Sequence, residues 1–290
     1  MAYWQNGKCY FYASTQSQSA VVEPLAELLG IAPENLCMIS ENTGGGFGSK
    51  GRSYPTMAIT GRFSQLLNRP VQLRITREEE YYLGVGRPGM QGWVKTGIRA
   101  DGTVAAVDVI IISDGGPTGR NSASSSAQHI SVVYTPTAMR LRNIPVFTNT
   151  TPRGAQRGPG QNEMSAAIAP IMDNAARQLG MDRATFRRVN APHSESSVYE
   201  NQGPVTSAFM AEAIDKASTM FNWAERDAAP RQRSGSKVRG LGIGLGYHSA
   251  GGNGYDGLVR ITPDGSIYLH SGVGNLGTYS YAGTARAAAE

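Results

Sequence analysis

Gly44-Gly45-Gly46-Phe47-Gly48-Ser49-Lys50 is the stretch on which the reading of this chain turns. Three consecutive glycines carry a large conformational entropy and open φ > 0 to the backbone. Lacking Cβ atoms, they also let a ligand come up against the main chain. Phe47 stands alone among them, and Lys50 follows as a point charge suited to an anion. The apolar run Leu36-Cys37-Met38-Ile39 ahead of them reads as a strand. The stretch therefore predicts a strand-to-loop turn that aims backbone N–H groups at a phosphate or an oxo-anion. From the glycines alone, an ordinary Gly-rich surface loop is the simpler account. A P-loop is excluded, because Gly51 stands where Ser or Thr is needed, and the spacing does not fit G-x-G-x-x-G either.

Working outward, the pattern before the glycines is strand 8–14, helix 19–30 with Gly30 as its C′ residue, and strand 36–40. After them come helix 54–68, an alternating strand 71–75 and a short helix 76–83. Asp101-Gly102 between two alternating runs predicts a hairpin of strands 91–99 and 104–113. Residues 114–129 read as a loop or a loosely packed helix. Short strands follow at 132–134, 139–142 and 144–148, then a Gly/Pro/Arg loop at 151–161. Helices are predicted at 162–179, 182–190 and 207–221. Residues 192–205 read as irregular. The period then changes to strands at 239–248, 255–262 and 266–272. The fold class is α+β, with mixed helices and sheets in a first domain over 1–227, a polar, basic linker over 228–238, and the start of a second α+β unit over 239–290.

The composition narrows the functional classes. Glycine, at 36 of 290 residues, is well above the usual ~7% and has no G-X-Y period. The net charge of +5 comes from scattered Lys and Arg, which does not suit nucleic acid. Cys9 and Cys37 have no metal-site spacing and read as free thiols in a reducing compartment such as the cytoplasm. No apolar run is long enough to predict a transmembrane helix. Residues 284–290 form a helical pattern without a C-cap, which predicts a fragment or a subunit completed by another chain.

Three further stretches are candidate ligand contacts. Gln16 ends a strand in Ser14-Thr15-Gln16, where its amide is either a donor to an oxo ligand or an ordinary loop amide. Arg153-Gly-Ala-Gln-Arg157-Gly158-Pro-Gly160 combines guanidiniums, bare backbone and a helix start, which suits an anion as well as a basic surface loop. Leu276-Gly277-Thr278-Tyr279-Ser280 is a glycine-plus-hydroxyl turn that a plain N-cap also explains. The four histidines are far apart, no nucleophile motif occurs, and no general base is identified.

In their order and spacing, Ser14-Thr15-Gln16, Leu28-Leu29-Gly30-Ile31, Gly44–Lys50, Gln156-Arg157-Gly158-Pro159-Gly160, Leu179-Gly180-Met181-Asp182 and Arg187-Arg188-Val189-Asn190 resemble one known family. It is the molybdenum-binding subunit of the molybdenum hydroxylases, the xanthine oxidase, aldehyde oxidase and aerobic CO dehydrogenase family. The stretch from Gly272 to Glu290 resembles the later Leu-Gly-Thr turn and helix of that family. The resemblance implies a molybdopterin-type molybdenum cofactor, with the cytosine dinucleotide form as one option, held mainly by hydrogen bonds. It implies that Gln16 hydrogen-bonds a molybdenum oxo group and that Arg157 flanks the metal. Gly45, Gly46, Phe47 and Gly48 would border the metal and pterin, Gly158 would make room, and Gly277 and Thr278 would hold the pterin or its nucleotide extension. It further implies oxidation of an aldehyde, an N-heterocycle or a similar small substrate, with water as the oxygen source. Electrons would leave through [2Fe–2S] clusters and FAD on partner subunits.

Three departures qualify the match. Gly51 follows Lys50 where the purine oxidisers carry Glu, and 124–127 holds no Arg. The family's catalytic Glu would lie beyond residue 290, so a complementary molybdenum-binding chain is expected to supply it. The alternative is an inactive fragment or an interaction module that keeps part of the fold.

Overall fold

The computed structural model describes residues 1–119, 122–201, 203–229, 233–248, 257–272 and 276–290. In chain order its elements are β1 (Ala2–Gln5), β2 (Lys8–Tyr12), α1 (Ser19–Leu29), β3 (Leu36–Ile39), α2 (Pro55–Leu67) and α3 (Arg77–Leu83). Next come β4 (Met90–Ile98), β5 (Val104–Asp114), α4 (Ala123–Val133), β6 (Ala138–Val146), α5 (Gln161–Gln178) and α6 (Arg183–Val189). The last are α7 (Met210–Phe221), α8 (Trp223–Ala228), β7 (Arg233–Ser234), β8 (Lys237–Val238), β9 (Gly257–Ile261), β10 (Ile267–Ser271) and α9 (Ser280–Ala289). The architecture is α+β.

The chain forms two compact units that are not continuous in sequence. The first comprises residues 1–86, 154–157 and 250–290. Its sheet has the order β1-β2-β3, with β1 antiparallel and β3 parallel to β2. Parallel pairing needs a crossover, and α1 provides it. Val21, Leu25, Ala26 and Leu29 of α1 bury against Ala2, Cys9, Phe11 and Leu36. Gly30, at φ +69, ends the helix in the left-handed region by donating to the carbonyls of Ala26 and Glu27.

The second unit comprises residues 87–153 and 158–249. Its sheet has the order β4-β5-β6, with one face of β5 (Val107, Val109, Ile111) buried against α4 and α5 residues Ile130, Val133, Met164, Ile168 and Met172.

Several elements depart from the sequence reading. Residues 132–134, expected as a strand, are the end of α4 and its C-cap Tyr134, because Ile130, Val132, Val133 and Tyr134 are all buried. A short apolar run that is buried all round carries no period to tell strand from helix. Residues 139–142 and 144–148 belong to one strand, β6, through Val146. Residues 71–75 make only a bridge between Val71 and Ala2. Residues 239–248 form no strand: Leu241, Ile243, Leu245 and Tyr247 turn inward onto helices, and the carbonyls of Leu241 and Leu245 accept from Arg183 and Ser165 side chains. The alternation was real, but its partners are side chains rather than a neighbouring strand. Of the expected strand 255–262, residues 255–256 lie outside the described residues, and the hairpin β9–β10 occupies the rest.

Candidate functional site

β2 and β3 run parallel, with Tyr12 beside Ile39, so their carboxyl ends open side by side. Ligands in open α/β arrangements sit beyond such ends. The loops that leave the two strands, 13–18 and 40–54, lock onto each other. Ala13 N–H donates to the Ile39 carbonyl (3.2 Å) and Gln16 N–H to the Lys50 carbonyl (2.9 Å). Buried hydroxyls complete the lock. Thr43 Oγ1 donates to the Thr15 carbonyl (2.9 Å), Thr15 Oγ1 to the Lys50 carbonyl (2.9 Å), and Thr15 N–H to Ser40 Oγ (3.1 Å). Tyr54 OH donates to the Ser49 carbonyl. Burial raises the pKa of that phenol, against the lowering influence of Arg52.

The amide of Gln16 is fixed at one end. Its Oε1 accepts from Gly48 N–H (2.7 Å) and Lys50 N–H (3.2 Å). Two backbone donors decide which end of the amide is oxygen. Its Nε2 makes no hydrogen bond among the described residues, so two N–H donors remain for a ligand. Gly46 is there to admit this side chain: a Cβ on it would stand 2.4 Å from Gln16 Cγ.

The glycine stretch also receives the residues before α5. A Cβ on Gly48, at φ +105, would stand 2.7 Å from the Ala155 carbonyl oxygen. Gly154 N–H donates to the Gly86 carbonyl (3.0 Å) and Gln156 Nε2 to the Val85 carbonyl (2.8 Å), which strap residues 154–157 in place. Arg157 is thereby carried on the segment beside the glycine stretch and is exposed. Phe47 holds φ +54, an uncommon conformation for a large residue, with its ring 62% exposed over Gly45. A bulky aromatic held so and left in solvent is a mark of a functional loop.

Gln16, Gly45, Gly46, Phe47 and Gly48 therefore converge, with Arg157 on the adjoining strap. Gly158, at φ +72, is the next residue along the chain and leads into α5. Gly277, at φ +73, and Thr278 precede α9. Gln18 N–H, on the loop that carries Gln16, donates to the carbonyl of Gly272, which directly follows β10 (3.1 Å). Lys50 Nζ donates to the Thr43 carbonyl (2.8 Å) and closes the loop on itself. Sequence reasoning missed Thr15, Ser40, Thr43 and Gln156. The signal was there in the hydroxyl residues that follow both strands, since buried loop carbonyls need donors.

Chemically, this arrangement offers N–H donors and bare backbone to a polar, anionic ligand. Among the described residues no group of three His, Cys, Asp or Glu gathers to hold a metal ion. A cofactor here would be gripped by hydrogen bonds. The Gln16 Nε2 donors, without a partner among the described residues, and the glycine cradle fit such a group.

Comparison with known proteins agrees with this chemistry. The family profile described as "Molybdopterin cofactor-binding domain" matches residues 1–191. Aldehyde oxidoreductase of Megalodesulfovibrio gigas is 27% identical over 273 residues, covering 92% of this chain and 30% of that protein. The xanthine dehydrogenase molybdenum-binding subunit of Escherichia coli is 25% identical over 278 residues, covering 91% of this chain and 36% of that protein. The solved aldehyde oxidoreductase of Desulfovibrio gigas superposes with a TM-score of 0.82 at 26% identity, over 93% of this chain and 30% of that one. The chain thus spans about a third of the length of the relatives it matches.

Proposed function

We propose that this chain, which belongs to the molybdopterin cofactor-binding domain family, forms part of the molybdenum site of a multi-subunit molybdenum hydroxylase. The observation that carries the reading is the Gln16 amide, with its oxygen held by two backbone N–H groups and its nitrogen without a hydrogen-bond partner among the described residues. Gln16 Nε2 would donate to an oxo group of the cofactor. Backbone at Gly45, Gly46, Phe47 and Gly48 would line the pterin and metal. Arg157 would bring positive charge to the flank, and Gly158 would keep that flank open. Gly277 and Thr278 would contact the pterin or a cytosine nucleotide extension. When bound, the cofactor supplies the redox centre at which a small aldehyde or N-heterocycle is oxidised with water as the oxygen source.

The absence of Glu at position 51 argues against a purine substrate. A companion chain would supply the general base, and iron–sulfur and FAD subunits would carry electrons away in the cytoplasm.

The test is a pair of variants. Gln16→Glu keeps the shape and both backbone hydrogen bonds but turns the donor into an anionic acceptor facing an oxo group. It is expected to leave thermal stability within about 1 kcal/mol and to lower molybdenum content at least tenfold. Gln16→Ala is expected to lose both. Normal molybdenum content in Gln16→Glu would refute the assignment.

A further inference from the structure

The residues before α5 are gripped by one short segment, 85–87. Val85 and Gly86 offer their carbonyls to Gln156 Nε2 (2.8 Å) and Gly154 N–H (3.0 Å). Arg87 continues the series with its side chain, whose Nη1 donates to the Gly158 carbonyl (3.3 Å). Pro88 follows Arg87 in the sequence and restricts its backbone to extended conformations.

Residues 158–160 are the turn that joins Arg157 to α5. Gly158 and Gly160 hold φ +72 and +84 there. Glycine has little conformational preference of its own, so such a turn needs outside contacts to keep one shape. Glu163, in the first turn of α5, supplies them together with Arg87. Its Oε2 accepts from Gly160 N–H (2.8 Å) and its Oε1 from Arg87 Nη1 (3.3 Å). Ser126 Oγ donates to the Gly160 carbonyl (3.0 Å), and a Cβ on Gly160 would stand 2.2 Å from the Ser122 carbonyl oxygen. One guanidinium thus holds the turn at Gly158 directly and at Gly160 through Glu163. It also balances the Glu163 charge. The Glu163 side chain is only 11% exposed, and without Arg87 its carboxylate would oppose an anion bound near the turn.

We infer that Arg87 is a positioning residue for Arg157, an inference that rests on the reading proposed above. Arg157 is exposed, and the turn that follows it is built on two glycines. A cation so placed samples many positions unless its backbone is held. Arg87 and Glu163 hold it before any ligand arrives, so an anionic cofactor meets a cation already in place.

The test compares Arg87→Met with Arg87→Lys in the protein produced in its own host with molybdate supplied. Hydrogen–deuterium exchange of the 157–163 amides is followed by mass spectrometry, and molybdenum per chain by elemental analysis. Arg87→Met removes the donor and leaves Glu163 without this cation. It is expected to speed exchange in 157–163 about tenfold and to lower molybdenum content about tenfold. The thermal midpoint should stay within about 4 °C, since a partly exposed ion pair contributes little to global stability. The contacts to Gly158 and Glu163 are both made by Nη1, so one ammonium can replace it. Arg87→Lys is therefore expected to return both readings to within about twofold of the unsubstituted protein. Unchanged exchange in Arg87→Met, fast exchange with full molybdenum, no rescue by Arg87→Lys, or a larger fall in the midpoint would overturn the positioning role. An unsubstituted protein without molybdenum would overturn the cofactor reading instead. Faster exchange in Arg87→Met would then still keep Arg87 as the clamp of the turn, and unchanged exchange would overturn that as well.

Discussion

Replacing Gly46 by alanine probes the contact that holds the site together. The new Cβ would lie 2.4 Å from Gln16 Cγ, 2.5 Å from Oε1 and 2.7 Å from Cδ, all inside any real contact distance. Gly46 is outside the left-handed region, so alanine brings no backbone strain and the penalty is steric. The side chain that must yield is Gln16, whose Oε1 then releases Gly48 N–H and Lys50 N–H. At about 0.5–1.5 kcal/mol for each hydrogen bond, the loss is about 1–3 kcal/mol. For a chain of this size that lowers the melting temperature by about 2–4 °C per kcal/mol.

Two neighbours calibrate the result. Gly44→Ala, at φ +66 with open space around it, should cost only the left-handed penalty of about 1–2 kcal/mol and leave Gln16 in place. Gly48→Ala should cost more than either, because it combines φ +105 with a backbone carbonyl at 2.7 Å that cannot swing aside. The assay is thermal unfolding of the isolated chain together with molybdenum content of the assembled protein. Gly46→Ala and Gly48→Ala should both lose molybdenum, and Gly44→Ala should retain it. A Gly46→Ala protein that binds molybdenum as Gly44→Ala does would refute the role given to the Gly46–Gln16 contact.

Two pH-dependences follow from the second unit. Burial pushes His129, 1% exposed, down to about 4 from 6.5. The unfolded chain takes up this proton first, so stability falls as pH drops from about 6.5 to 4, by about 3 kcal/mol in all. Chemical denaturation across that window should show the slope, and His129→Leu should flatten it. Asp114 is held down to about 2 from 3.8, chiefly by the Thr148 hydroxyl and further by Gly116 N–H and Arg153, against the opposing pull of burial. Its folded pKa is depressed, so its contribution is present above about 3.8 and is lost as pH falls towards 2. Asp114→Asn should abolish that lower limb and speed proteolysis within 148–153, where Thr148, Thr150 and Arg153 engage it.

How far the sequence revealed this fold depends on the range of the contacts that decide each element. The succession β2–α1–β3 was legible because Val22, Leu25 and Leu29 carry the helical period and Gly30 stops it locally. The β4–β5 hairpin was legible through Asp101-Gly102, where Gly102 takes φ +86. Residues 239–248 were misread because alternation reports which side chains turn inward and not what pairs with the backbone. For the site, glycine density pointed to close approach but not to what approaches. That Gly46 admits Gln16 and Gly48 admits the Ala155 carbonyl depends on contacts between segments remote in sequence. The hydrogen bond from Lys50 was hidden for the same reason, since it goes to the carbonyl of Thr43, seven residues back on a loop whose path only the folded chain defines.

The central claim is that Gln16 and the glycine stretch cradle a molybdenum–pterin cofactor. Its most direct test is the molybdenum-to-pterin-to-chain ratio of the protein purified with the companion subunits proposed for it, by elemental analysis and pterin fluorescence. The account predicts about one molybdenum and one pterin per chain. A pure complex holding iron and flavin but neither molybdenum nor pterin would contradict it.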